Sequence, residues 1–212
     1  MFFGDDDLDA RRSVLDDAQD VSVVGATAGS AFGLPIAAGD FNDDGFDDFA
    51  IGAQSEGADN LGTAGALRIF FGSDNLPSEI DLSVGQADVL VRGSSGGALL
   101  PTAMGVIDTN GDGVDDLVFT SALGGTTLGR SSAGLIYMVP GGNDLPESID
   151  LDAGGVSGPI LGPADGGQLG TALRVDSLGE GLIGIAALAP GISLGADRPN
   201  VGAVFLVALE VR

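Results

Sequence analysis

Cysteine, histidine and lysine are all missing from this chain of 212 residues. Without cysteine there is no disulfide framework and no thiolate site. Without histidine a Ser-His-Asp triad cannot be assembled. That disposes of the two G-x-S-x-G stretches, Gly93–Gly97 and Gly191–Gly195, as nucleophile elbows. Long apolar runs are also missing. The best candidate, Leu182–Ala189, is far too short for a bilayer, so direct membrane insertion is not expected. Met1–Asp7 has neither a basic n-region nor an apolar h-region and does not read as a signal peptide. Positive charge is scarce as well: eight arginines face 31 acids, giving a formal net charge of −23. Such a chain should repel nucleic acid and anionic membranes, and suits metal cations or basic partner surfaces.

What is abundant is aspartate, glycine and small apolar residues. Only Glu56, Glu79, Glu147, Glu180 and Glu210 among the acids are glutamate; the rest are aspartate, the acid of turns and hard-cation sites. Hydrophobic residues make up 44%, enough for a packed core, and 37 glycines imply many tight turns. Helix formers are few. The chain reads as all-β with short strands.

One stretch organises the rest. Asp40-Phe41-Asn42-Asp43-Asp44-Gly45-Phe46-Asp47-Asp48 returns as Asp108-Thr109-Asn110-Gly111-Asp112-Gly113-Val114-Asp115-Asp116. Both read D-x-N-x-D-G-x-x-D. Oxygen donors at positions 1, 3 and 5, a glycine at 6, a carbonyl at 7 and a carboxylate at 9 make the first part of a calcium loop. The expected ligands are Asp40, Asn42, Asp44, Asp48 and the Phe46 carbonyl in the first loop. In the second they are Asp108, Asn110, Asp112, Asp116 and the Val114 carbonyl. Asp43, Asp47 and Asp115 fall on intervening positions and are expected to face solvent. Magnesium fits less well, because it demands a tight octahedron and keeps its waters. An EF-hand would need a glutamate at position 12, where Ile51 and Phe119 stand in β-like runs. A solvated Asx-turn is the plain alternative for one such loop; two in register argue against it.

The spacing between the loops is 108 − 40 = 68 residues. One further period reaches Asp176, where Leu178 and Gly184 replace two ligands, so this third loop is degenerate and expected to bind nothing. Gly179–Gly184 spells G-x-G-x-x-G, but within a hairpin rather than a strand-to-helix turn, which excludes a dinucleotide site. Other landmarks keep the period. Ala64–Gly72 is echoed by Ala133–Gly141 and Val201–Val207, Asn75–Leu82 by Asp144–Leu151, and Asp20–Gly25 by Asp88–Gly93. Phe2-Phe3-Gly4 echoes Phe70-Phe71-Gly72. Each period reads as four short strands, in the first at about 34–40, 46–53, 64–71 and 87–92, with the Asp-rich loop joining the first two. A small four-stranded antiparallel sheet per repeat is a β-propeller blade. Residues 1–24 then end a preceding blade, 25–92 and 93–160 are blades, and 161–212 is a blade lacking its last strand. Asp5–Asp20 reads as loop with a helical turn at Ala10–Ala18. Strand 19–24 could complete the last unit. About three blades fall short of the usual 4–8, so a larger propeller, through a longer parent chain or self-association, is expected.

Phe32-Gly33, the Asp40–Asp48 loop, Ile51-Gly52-Ala53 and Gly65–Phe71 together resemble the FG-GAP repeat of the integrin α-subunit propeller and its bacterial relatives. The FG pair becomes Leu100-Pro101 and Leu169-Gly170 in the later repeats. The resemblance implies a calcium-stabilised, non-catalytic module for adhesion, extracellular or at the cell surface, with a protein or glycan ligand. The alternatives are an accessory propeller of a secreted hydrolase, as in phospholipase relatives with FG-GAP repeats, or a structural spacer in a large surface protein.

Overall fold

The computed structural model describes residues 21–57, 63–93, 98–125, 128–151, 156 and 159–211. The regular structure of the described residues is almost wholly β. In chain order the strands are β1 (Ser22–Val24), β2 (Phe32–Gly39), β3 (Asp48–Ala53), β4 (Ala66–Phe70), β5 (Glu79–Asp81), β6 (Val89–Arg92) and β7 (Met104–Ile107). They continue with β8 (Asp116–Ser121), β9 (Leu135–Val139), β10 (Ser148–Asp150), β11 (Ile160–Leu161), β12 (Leu173–Gly179), β13 (Leu182–Ala189) and β14 (Ala203–Glu210). Three antiparallel meanders follow one another as blades: β2-β3-β4-β6, β7-β8-β9-β11 and β12-β13-β14. This is an all-β, propeller-type architecture.

The blades stack because every middle strand is apolar on both sides. On β3, Ala50 faces the second blade, while Phe49 and Ile51 face the other way. On β8, Leu117 and Phe119 face the first blade and Val118 the third. Strands buried on both faces need no polar alternation. Each fully buried large side chain contributes roughly 1.5–3 kcal/mol. The first two blades enclose the largest cluster, with Phe41, Leu67, Ile69, Leu117 and Phe119 all buried.

Two details depart from the sequence reading. The second strand begins at Asp48 rather than at residue 46, because the Asp48 carboxylate anchors the strand end while Phe46 and Asp47 stay in the exposed loop. The Asn75–Leu82 and Asp144–Leu151 segments, read only as landmarks, each contain a strand. β10 adds in parallel to the outer strand of the preceding blade, with Ser148, Ile149 and Asp150 opposite Leu90, Val91 and Arg92. β5 adds likewise to β1, with Glu79, Ile80 and Asp81 opposite Ser22, Val23 and Val24. Strand 19–24 therefore appears as β1, paired to β5 and not to the last blade. The Ala10–Ala18 turn and the Phe2-Phe3-Gly4 echo lie outside the described residues.

The blades touch closely at Gly65 and Gly134, which immediately precede the third strands. A Cβ on Gly65 would lie 2.0 Å from the Leu100 carbonyl oxygen, and one on Gly134 would lie 2.1 Å from that of Leu169. Both have positive φ, +82° and +87°. Gly65→Ala is therefore expected to cost about 2–3 kcal/mol, read as a lower urea midpoint. An unchanged midpoint would show that the blades separate there without penalty.

Candidate metal centre

The two Asp-rich loops join β2 to β3 and β7 to β8, and their hydrogen bonds repeat nearly atom for atom. Asp40 accepts the Asp44 and Gly45 N–H groups at 3.1 and 2.9 Å. Asp108 accepts the Asn110, Gly111 and Gly113 N–H groups at 3.2, 2.6 and 2.9 Å. Asn42 accepts the Asp44 N–H at 3.0 Å and donates its own amide to the Asp44 carboxylate at 2.9 Å. Asn110 and Asp112 do the same, at 2.9 Å each. Asp44 accepts the Phe46 N–H, and Asp112 the Val114 N–H, both at 2.9 Å. Positions 1, 3 and 5 are thus held on one turn by the backbone they encircle. Gly45 and Gly113 have φ of +89° and +90°, and a Cβ there would meet nothing within 4 Å. Position 6 needs glycine for its backbone angle, not for room.

Position 9 is different. Asp48 and Asp116 are fully buried. One Asp48 oxygen accepts the Phe41 N–H at 2.9 Å and the other the Gly72 N–H at 2.7 Å. Asp116 accepts the Thr109 N–H and hydroxyl on one oxygen, and the Gly141 N–H at 2.8 Å on the other. Each therefore ties the start of its loop to the end of the third strand. Burial is the main cause that pushes the Asp48 pKa up to about 6; the Gly72 and Phe41 N–H groups pull it down, and the charges of Asp44 and Asp40 add to the rise.

Among the described residues no three acidic side chains form a ready-made metal cage. In kind, the donors fit a hard divalent ion: two carboxylates and an amide oxygen at alternate positions, above a buried carboxylate. A carboxylate has about four lone-pair sites, so Asp48 and Asp116 keep capacity beyond their backbone bonds. Asp40, Asn42 and Asp44 could hold the ion on one loop, and Asp108, Asn110 and Asp112 on the other, with the Phe46 and Val114 carbonyls at position 7.

Asp43 and Asp47 are exposed, as their positions suggested, but Asp115 is not. Its carboxylate accepts the Asp40 N–H at 3.2 Å, and its own N–H reaches the Asp40 carbonyl at 3.3 Å. Asp115 thus clasps the first loop to the second across the blade boundary. The sequence reading missed this role because Asp47, at the same loop position, does not share it; the partner comes from another blade.

The third loop is reduced to a two-residue hairpin. Glu180 and Gly181 have φ of +54° and +73°, the signature of a tight type I′ turn. Asp176 lies inside β12 opposite Gly184, and pairs with Arg174 at 2.9 Å on the exposed surface. That pairing holds its carboxyl below the usual aspartate value. Glu180→Ala should leave calcium stoichiometry unchanged in calorimetry; a lost site would place a ligand in this hairpin. A cleft of about 760 Å³ lies elsewhere, along Arg68, Asp88, Arg92 and Glu147.

Three apolar blades, the first two with Asx-stabilised loops between their first two strands, define a propeller repeat module. Residues 32–70, the first three strands of its first blade, match the FG-GAP repeat family. The chain is similar to phosphatidylinositol-glycan-specific phospholipase D of Rattus norvegicus, 36% identical over 57% of this chain and 14% of that protein. It is likewise similar to the proteins of that name from Homo sapiens and Bos taurus, 29% and 30% identical, each over 68% of this chain and 16% of the relative. The chain thus spans about a sixth or less of these relatives.

Proposed function

We propose that this chain is a calcium-binding, non-catalytic propeller module that works outside the cell or at its surface by holding a protein or glycan ligand. The observation that supports it most is the repetition of one hydrogen-bonded Asp-Asn-Asp turn at the same place in two blades, above a buried carboxylate each time. Calcium there is structural. Without it, acids at positions 1, 5 and 9 repel one another; with it the same charges attract a shared ion, and binding energy adds to folding energy. The lack of histidine and cysteine supports a non-catalytic role.

A second reading is favoured by the phospholipase relatives: an accessory, non-catalytic repeat region of a phospholipase D specific for phosphatidylinositol-glycan. Titration calorimetry with calcium tests the shared core of both readings, and two bound ions per chain are expected. No heat and no thermal shift would remove calcium from the proposal. Binding to a glycan array by the isolated chain favours the first reading; a silent array with retained calcium sites favours the second.

A further inference from the structure

The two Asp-rich loops touch one another, and they do so at residues that carry donors or stand beside them. Asp40 opens the first loop at position 1. Asp115 stands in the second loop between the position 7 carbonyl of Val114 and the position 9 carboxylate of Asp116. The Asp40 N–H donates to the Asp115 carboxylate at 3.2 Å, and the Asp115 N–H donates to the Asp40 carbonyl at 3.3 Å. Next in the chain, the Phe41 carbonyl accepts the Gly142 N–H at 2.9 Å, and Asp116 accepts the Gly141 N–H at 2.8 Å. Asp40-Phe41, Asp115-Asp116 and Gly141-Gly142 thus close one ring of bonds across the boundary between the first and second blades.

The ring has little slack. A Cβ on Gly39 would lie 2.6 Å from the Asp115 carboxylate. One on Gly141 would lie 2.4 Å from the Asp115 carbonyl oxygen and 2.9 Å from that of Phe41. The Phe41 side chain is buried in the core that the two blades share. In packing this close, a shift of one loop is passed to the other. Ile183 stands at the matching place in the third blade and has no polar group with which to repeat the contact.

We infer that Asp115 couples the two loops, so that calcium in either one raises the affinity of the other. The inference rests on the calcium reading and adds the regulation of those sites. Once its side chain holds an ion, Asp40 keeps its backbone in place. Through the ring it then fixes Val114 and Asp116, the donors on either side of Asp115. A loop already ordered loses less conformational entropy on binding. Repulsion between the two ions opposes this, but it acts through solvent and weakens with salt. The packed ring is screened far less, so the coupling is positive at physiological ionic strength. By linkage the factor is the same in both directions, and a coupling of ordinary size is about fivefold or more.

Titration calorimetry with calcium, at physiological and at high salt, tests this. Asp112→Ala, which empties the second loop, should lower the affinity of the first about fivefold or more relative to the unmodified chain. Asp44→Ala should lower that of the second by the same factor. Both positions are exposed, so this arm does not depend on a variant of Asp115 that folds. In an Asp115→Ala background, Asp112→Ala should leave the affinity of the first loop unchanged. Asp115→Asn keeps an acceptor for the Asp40 N–H and should restore the dependence. Hydrogen exchange gives a second readout. In Asp44→Ala, calcium should still slow exchange of the Asp40 N–H, because the ion then bound sits in the second loop. Affinities that ignore the state of the other loop overturn the inference and leave two separate calcium sites standing. A remaining loop that binds more tightly overturns its sign and assigns the coupling to charge repulsion. No calcium binding by the unmodified chain removes the calcium reading, and the inference with it.

Discussion

Replacing Asp44 and Asp112 together by alanine is expected to remove most of the stabilisation that calcium gives this chain. Each of these residues sits at the centre of its loop: it takes its neighbour's amide and the N–H two residues on, and lies at the most exposed point of the ring of donors. Alanine there removes a charge and the acceptor that fixes Asn42 or Asn110. A site held a thousandfold above its dissociation constant stabilises the fold by about 4 kcal/mol, and two independent sites by about 8. In the unmodified chain, differential scanning calorimetry with calcium should show a melting temperature well above that in chelator. In the double variant the two traces should nearly coincide. If calorimetry still reports two sites of unchanged affinity, the ions bind through other residues and the ligand assignment is wrong. The single variants should each lose one site, because the loops lie in separate blades; any cross-talk would pass through the Asp115 clasp.

The second large effect is expected at the foot of the loop. Asp48→Ala leaves two backbone N–H groups, those of Phe41 and Gly72, without an acceptor in a buried place. Losing a charged acceptor and stranding its donors costs about 3–5 kcal/mol. Urea unfolding in chelator reads this directly and separates the structural role from any metal role. The same residue sets a pH dependence. Its folded pKa, about 6, lies above the ordinary aspartate value of 3.8. A raised folded pKa means that the folded state holds the proton more tightly than the unfolded one. The stabilisation is complete below pH 4 and is lost as pH rises through about 6. The span corresponds to at most about 3 kcal/mol. In chelator, the unmodified chain should therefore weaken between pH 4 and 6 by more than Asp48→Asn does. Equal slopes would assign the change to the general acidity of the surface.

Much of this was legible in the residues. The 68-residue period, the Asp-Asn-Asp-Gly turns and the apolar runs on either side of them located the blades and the loops, because each is a local pattern with a local cause. The clip strands β5 and β10 were not legible. Ser148-Ile149-Asp150 carries no strand signal of its own; it is a strand because the edge of the preceding blade offers it a ladder and the first core takes in Ile149. The third loop was read as a degraded site; the structure replaces it with a turn, since Glu180 and Gly181 let the strands run on until they meet.

The sequence by itself determined the class of the molecule: all-β, repeated, acidic, free of disulfide and triad chemistry, with two loops rich in hard-cation donors. Those conclusions depend on composition and on contacts within a few residues, which a linear pattern records. The tertiary structure alone decided what the remaining acids do. Asp48 and Asp116 became buried ties and Asp115 a clasp between blades, because their partners lie from 7 to 75 residues away and only packing brings them within reach.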